Sequence, residues 1–516
     1  MSLARAVLLL AATTTALQIP FMTKDVKVTS STAKKFDLLV VGAGSGGIGA
    51  ATTAAKFGKS VAMIEKERFG GDCCWTGCVP SKALLAAAKA AHTARTASKF
   101  GVTTGAVEVD MKAVKERVQS VVQTIHDEDD APAAQLKKGV TPIEGAAKFV
   151  NPTTLSITPS DGSAAYELVA TQGIIVATGA KPRVPKIAGI ESVPYLTYLE
   201  IFNIDVLPKK LTVVGGGPIG CELAQAFARL GSTVTLVANK LLPLDEPEAG
   251  EVLEAALVSE GVIRVKGKVE SAAKEGATGH VLSVSGGQKV SGETLLMAVG
   301  REPVVNTLGL ETIGVAIDEK TGGIKVDGKL RTNVKGVYAV GDCTGDKQFT
   351  HYAGFQGAYA GANALFGALF TGVLGAEVPA CTFTSPEVAR VGLTEAQAIA
   401  EYGAAKVGVQ TRKLTASDRA RCDGDDEYGF IKIVFKQGSS AILGATICSA
   451  AAGEMIAEIG LAMKNKVKLT AIGTTLHAYP SRSWDVNLAA ADVYYASLIS
   501  LVNKLKPVLK FIGVKV

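Results

Sequence analysis

Two thiols, Cys73 and Cys78, stand with four residues between them in Gly70-Gly71-Asp72-Cys73-Cys74-Trp75-Thr76-Gly77-Cys78-Val79-Pro80-Ser81-Lys82. Of the eight cysteines, these alone have a spacing with a redox reading. Pro80 suits the first turn of a helix, where a missing N–H costs nothing, and the Ala- and Lys-rich run over residues 82–89 continues that helix. Cys78 then lies just before a helix N-terminus, whose unpaired N–H groups favour an anion. A thiolate there has a lowered pKa and is nucleophilic. Cys74 is an extra thiol, expected to be a buried packing residue.

Elements that must position such a pair surround it. Residues 36–41 form an apolar run that reads as a buried parallel strand. Gly42, Gly44 and Gly47 follow, then a helical stretch to Phe57, a second strand over 60–64, and Glu65. This strand–G-x-G-x-x-G–helix–strand–acid unit brings a pyrophosphate close to a helix N-terminus, with Glu65 accepting from a ribose. Standing just before the cysteines, it reads as an FAD site. A second unit follows: a strand over 211–214, then Gly215, Gly217, Gly220 and Glu222 opening a helix to about Leu230, then a strand over 232–237. Two units imply two nucleotides, FAD and a nicotinamide. After the second strand comes Asn239-Lys240 and no acid, which favours the 2′-phosphate of NADPH over NADH. Gly220 is the cue in the other direction, so NADH stays possible.

The cysteine stretch resembles the redox-active disulfide of the flavin-dependent pyridine nucleotide–disulfide oxidoreductases, whose pattern G-G-x-C-x-x-x-G-C-[VI]-P-S-K is present at every fixed position. That family includes dihydrolipoamide dehydrogenase, glutathione reductase and mercuric reductase. Trp75-Thr76 resembles its mercuric-reductase-like branch. Further landmarks run in order from residue 36 to 487. Gly145 and Ala146 resemble the segment that meets the adenine, and Thr178-Gly179 the A-T-G turn out of the FAD domain. Gly300 lies in the exit from the nicotinamide domain. Asp342 matches the second FAD motif, with Gln348, Phe349, Thr350 and His351 bordering the flavin ring. The resemblance implies that Cys78 is the thiolate next to the flavin and Cys73 the interchange thiol. It implies that Lys82 pairs with Glu222 beside the flavin, and that the protein is a homodimer whose interface domains each complete the partner's site. His351 is expected to be packed at a helix start.

The pattern breaks near the C-terminal end. The family's H-P-T-x-x-E motif supplies a His–Glu dyad that moves protons at the substrate thiol. Aligned on Pro480, the histidine position holds Tyr479 and the glutamate position Trp484. Tyr479, with an ordinary pKa near ~10, is a poor base but a possible hydrogen-bond donor or stacking surface. His477 lies two residues too early. Arg482 is expected either to attract an anion or to face solvent. No cysteine follows Cys448, so neither a C-terminal metal-delivering pair nor a thioredoxin-reductase-type pair is present in this sequence.

Composition narrows the partners. A net charge of +6 over 516 residues, with no concentrated basic stripe, argues against nucleic acid. Arg5 before the apolar run 6–12 has a signal-peptide pattern, and residues 18–35 are Ser/Thr/Lys-rich like a transit peptide. The pair resembles a bipartite presequence, so an organelle is expected, a plastid first, with the secretory pathway or a mitochondrion as alternatives. The tail from Leu498 is apolar and basic but too interrupted to span a bilayer.

The expected fold is α/β: two Rossmann-like dinucleotide-binding domains plus a C-terminal α+β dimerisation domain. The expected limits are a presequence over 1–35, FAD parts over 36–188 and 311–375, an NAD(P) domain over 189–310, a dimerisation domain over 376–500 and a tail over 501–516. The expected enzyme passes electrons from NAD(P)H through FAD to Cys73–Cys78 and on to a disulfide, metal ion or small electrophile. A quinone- or oxygen-reducing flavoprotein and a flavoprotein binding subunit with little turnover are the other readings.

Overall fold

The apolar run at 36–41 forms the strand Lys34–Val41, in which Leu38, Leu39 and Val40 have no solvent exposure. Side chains alternate across a strand, and here both faces meet a core. Leu39 and Val41 pack with Ala62, Ile64, Phe149, Leu155, Ile157 and Leu168. Leu38 and Val40 pack with Val61, Met63, Ala50, Ala54, Ala360 and Ala364. In the computed structural model described here, residues 33–277, 279–367, 369–370 and 377–511 are defined. Of the presequence expected over 1–35, only residues 33–35 fall among them, and residues 512–516 of the expected tail lie outside.

The first sheet is mixed. Lys34–Val41 pairs in parallel with Val61–Glu65, which pairs in parallel with Val140–Asn151. An antiparallel meander, Val140–Asn151, Thr154–Pro159 and Tyr166–Val176, returns the chain to Lys34–Val41. Val337–Ala339 then joins Tyr166–Val176 in parallel, so a late segment completes an early sheet. The helices Ser45–Lys56 and Thr350–Phe366 cross on this sheet at small residues. A Cβ on Gly357 would fall 2.0 Å from Gly46 O, and one on Gly361 2.7 Å from Ala50 O. Only glycine permits that approach, and it brings Thr350, the first residue of its helix, towards the glycine-rich turn.

A four-stranded parallel sheet follows, in the order Thr294–Met297, Lys210–Val214, Thr233–Ala238, Ile263–Lys266, with a three-stranded antiparallel layer of Val269–Glu275, Gly279–Val284 and Gln288–Gly292. Ala180–Pro182 and Arg301–Pro303 pair antiparallel and connect the two dinucleotide folds. The helix Pro218–Leu230 is buried on nearly all sides, polar residues included. Leu223 and Phe227 share a core with Ala83, Leu84 and Ala88 of the helix Cys78–Thr96. Its polar residues are therefore satisfied internally: Gln225 exchanges hydrogen bonds with Ser385 backbone at 2.7 and 2.8 Å, and Arg229 pairs with Glu260 at 2.6 Å.

The C-terminal part is a five-stranded antiparallel sheet, Ala380–Thr382, Glu387–Gly392, Ala441–Ser449, Phe430–Lys436 and Val407–Lys413, covered by the helices Ala452–Lys464 and Arg482–Phe511. The expected α/β plus α+β class is the one observed. Among the described residues, no helix is long and apolar enough to cross a membrane.

Candidate active site

Two helical pieces meeting at Gly77 hold the thiols. Cys73 sits in the one-turn helix Gly71–Trp75, and Cys78 is the first residue of Cys78–Thr96. The helix thus begins at Cys78 rather than after it. Cys78 remains in the first turn, where backbone N–H groups lack intrahelical partners. Both thiols are free, Cys78 exposed and Cys73 half-buried. Each sets the protonation of the other, Cys73 being the one that keeps its proton. Thr350 Oγ1 lies 3.2 Å from Cys78 Sγ.

The hydrogen bond from Cys73 is the largest influence on Cys78. It outweighs partial desolvation, and Thr350 and the charge of Lys82 add to it against the charge of Glu222, so the Cys78 thiol is drawn down to about 6. The same hydrogen bond, with burial and the charge on Cys78, pushes Cys73 up. The pair is therefore asymmetric at neutral pH, a thiolate at Cys78 and a thiol at Cys73. Cys74 is buried against the Val122 carbonyl, its Sγ 3.8 Å away, and burial raises its thiol to about 12.

Lys82 Nζ is 2.7 Å from Glu222 Oε2. The other carboxylate oxygen of Glu222 accepts from Phe383 N at 2.9 Å, and the Lys82 ammonium lies 4.5 Å from the Phe383 ring centroid. One carboxylate thus ties the redox helix, the second dinucleotide fold and the start of the C-terminal sheet.

The two glycine-rich turns have room for a nucleotide. Gly42, at φ +105°, could not carry a Cβ, which would strike Ala177 O at 2.2 Å. At Gly44 the nearest heavy atom to such a Cβ is Gly71 Cα at 3.8 Å, and at Gly217 nothing lies within 4 Å. Gly44 and Gly217 are N-caps of Ser45–Lys56 and Pro218–Leu230, and neither helix has a side-chain cap. Open backbone at an uncapped helix N-terminus suits a pyrophosphate. Gly47 and Gly220 instead close each turn, a Cβ on either falling about 2 Å from the Gly42 or Gly215 carbonyl oxygen. Glu65 accepts from Ala43 N and Glu67 N at 2.8 Å each. Its neighbour across the strands is Glu144, which precedes Gly145 and Ala146.

The remaining expected residues fall into three places. Thr178, Gly179 and Gly300 lie at the connection between the folds: Thr178 Oγ1 donates to Val304 O at 2.6 Å, Gly179 O accepts from Val304 N, and Gly300 O from Arg183 N. Gln348, Phe349 and Thr350 are half-buried at the start of Thr350–Phe366, where His351 bonds Pro379 O at 2.9 Å and stacks on Phe349. Lys240 is exposed just beyond Thr233–Ala238.

Sequence reasoning missed the central cation. Arg301 spans Asp342 Oδ2 at 2.6 Å and Asp72 Oδ2 at 2.8 Å, and Tyr198 OH donates to Asp72 Oδ2 at 3.1 Å. Burial raises the Asp342 carboxyl, and the Arg301 charge opposes it. The signal was present, an arginine after Gly300 and an acid before Cys73, but nothing local says that they meet.

Near the family's dyad position the structure corrects one expectation. Arg482 neither faces solvent nor stands free for an anion: it is 12 % exposed and held by Asp423 and Asp425 at 2.7 and 2.5 Å. Tyr479 is 64 % exposed, donates to Asp418 Oδ2 at 3.2 Å and packs edge-on against Trp484. His477 is bound at both ring nitrogens, to Thr475 O and to Glu458 Oε1, each at 2.9 Å.

A dithiol lying between an FAD-type and a nicotinamide-type dinucleotide fold defines an NAD(P)H-dependent flavoprotein. The chain belongs to the pyridine nucleotide-disulphide oxidoreductase family: the family model matches residues 36–357, and the model of its dimerisation domain matches 378–490. It is 36 % identical to a mercuric reductase from Streptomyces lividans over 88 % of this chain and 95 % of that one. It is 35 % identical to a dihydrolipoyl dehydrogenase from Chlorobaculum tepidum over 89 % and 97 %. Among solved structures, LpdA from Mycobacterium tuberculosis aligns with TM-score 0.80 at 29 % identity, covering 89 % of this chain and all of that one. The copper(II) complex of RclA, an HOCl-induced flavoprotein disulfide reductase from Escherichia coli, aligns with TM-score 0.78 at 27 % identity over 89 % and 100 %. Members of this family bind FAD and use NAD(P)H, and the dimerisation domain points to a homodimer.

Proposed function

We propose that this enzyme carries electrons from NADPH to an acceptor that needs no proton delivered by the protein, a thiophilic metal ion or small electrophile ahead of a disulfide. The observation that carries this reading is a Cys78 thiol held low next to Thr350 and Lys82 in a chain whose dyad position is Tyr479. FAD, when bound, supplies the two-electron relay between the nicotinamide and the cysteines. Gly42, Gly44, Gly47, Glu65, Gly145, Ala146 and Asp342 would hold it, and Gly215, Gly217, Gly220 and Lys240 would hold NADPH. One hydride equivalent reduces a Cys73–Cys78 disulfide to a Cys78 thiolate and a Cys73 thiol, so the proton is accounted for. Lys82 and Thr350 stabilise the thiolate, Glu222 holds Lys82, and Cys73 meets the acceptor.

Disulfide exchange would next need a base to deprotonate Cys73 and an acid for the leaving thiol. Tyr479 is exposed and its hydroxyl is raised by its hydrogen bond to Asp418, while both nitrogens of His477 are committed. A soft metal ion displaces the Cys73 proton to water as it binds and has no leaving thiol that must be protonated. The presequence pattern at residues 5–35 supports an organelle, a plastid first, as the place of action, and a fluorescent fusion of residues 1–40 would test it.

The deciding experiment is anaerobic titration with NADPH and NADH, followed by an acceptor panel. A long-wavelength thiolate–flavin absorbance at two-electron reduction, with faster turnover of metal ions than of disulfides, is expected. Flavin bleaching without that band would overturn the dithiol route and favour direct reduction of quinones or oxygen.

A further inference from the structure

The helix Arg482–Phe511 outruns the domain in which it starts. The family match ends at residue 490. Val486, Ala489, Ala490 and Val493 bury the first half of the helix against the C-terminal sheet. From Tyr495 to Pro507 every residue except Val502 is exposed. Large apolar side chains are among them: Tyr495 is 60 % exposed, Ile499 59 %, Leu501 52 %, Leu505 42 % and Leu498 40 %. At about 3.6 residues per turn, these five and Val502 fall within an arc of about 160°. Ser497, Ser500, Asn503 and Lys504 occupy the opposite side. The charge is one-sided too. Residues 493–516 contain no Asp or Glu but include Lys504, Lys506, Lys510 and Lys515.

We propose that this helix docks the enzyme on an anionic lipid surface. It lies in the interface plane, with Leu498, Ile499, Leu501 and Leu505 among the acyl chains and Lys504 at the headgroups. Lys506 falls inside the apolar arc near its edge, where its stem lies along the surface and its ammonium reaches out. A second copy of the helix would cover the apolar arc equally well, but would bring lysines together with no carboxylate to pair them. The arc is also wider than the two-position seam of a coiled coil. Anionic headgroups answer both features, and they attract each lysine within a Debye length.

Vesicle flotation of the full-length FAD-loaded protein tests this, with phosphatidylcholine alone and with phosphatidylcholine–phosphatidylglycerol. The protein is expected to float with the anionic vesicles only and to be released by high salt. Lys504→Glu with Lys506→Glu should weaken binding by about tenfold or more. Leu498→Asp with Leu501→Asp should abolish it, with NADPH oxidation unchanged in both variants. Retained binding in both would assign the membrane contact to another segment, such as residues 6–12, and overturn the proposal. So would absent binding, or equal binding to both vesicles. A lipid-free change in assembly mass on Leu498→Asp/Leu501→Asp, measured by ultracentrifugation, would show that a second copy covers the face, and would equally overturn it.

Discussion

Asp72 and Arg301, 229 residues apart, meet at 2.8 Å. The residue next to Cys73 is thereby tied to the strand that connects the two dinucleotide folds. Arg301 also holds Asp342, so one cation balances two carboxylates. Replacing it with Ala leaves a buried carboxylate unpaired, which is costly. The Asp342 carboxyl, already raised by burial, rises further and stays protonated to higher pH. An Arg301→Ala variant should release FAD faster than the wild type, with the difference growing as pH falls, as followed by the fluorescence of freed flavin.

The Cys78 thiol, drawn down to about 6, sets a pH signature. In the NADPH-reduced enzyme, alkylation at Cys78 should be fast above that pH and fall about tenfold per unit below it, as the thiolate fraction does. Lys82→Met removes a charge that favours the thiolate, so the profile should move to higher pH. An unmoved profile in stopped-flow iodoacetamide kinetics would remove Lys82 from this role.

Glu222 separates charge from hydrogen bonding. Glu222→Gln keeps an acceptor for Phe383 N but loses the Lys82 partner. Glu222→Ala also leaves the Phe383 N–H without its acceptor and should cost about 1–3 kcal/mol more in stability. Thermal unfolding of the two variants side by side checks the order.

The dyad position makes a gain-of-function test. Tyr479→His with Trp484→Glu restores the family pattern, and general acid–base help is worth about 100-fold or more. The kcat/KM for a small disulfide should rise towards that factor while turnover of metal ions stays level. His477→Gln should lower stability without lowering turnover, because its ring holds Glu458 and the 475 carbonyl.

Lys240 is the nucleotide test. Lys240→Glu places a carboxylate that accepts from a ribose 2′-hydroxyl and repels a 2′-phosphate. The NADPH-to-NADH ratio of kcat/KM should fall by about tenfold or more. No change would mean that the preference is set elsewhere.

The sequence by itself determined what periodicity and short motifs encode. The strand–turn–helix units at Gly42 and Gly215, the thiol pair at Cys73 and Cys78, and the absent histidine at 479 are all local patterns. Their chemistry follows from backbone geometry within a few residues. Tertiary structure decided which distant groups share a site. Lys82 reaches Glu222 because their helices pack through Leu84 and Phe227. Thr350 reaches Cys78 because glycines let two helices cross closely. Arg301 falls between Asp72 and Asp342 because two short strands pair at the connection between the folds. Arg482, legible in the sequence as a free cation, is neutralised by Asp423 and Asp425, at and just past the end of the helix Asp418–Asp423, which no local pattern points to. Hydrophobic periodicity is written in neighbours along the chain, whereas the pairing of buried charges depends on which surfaces are covered.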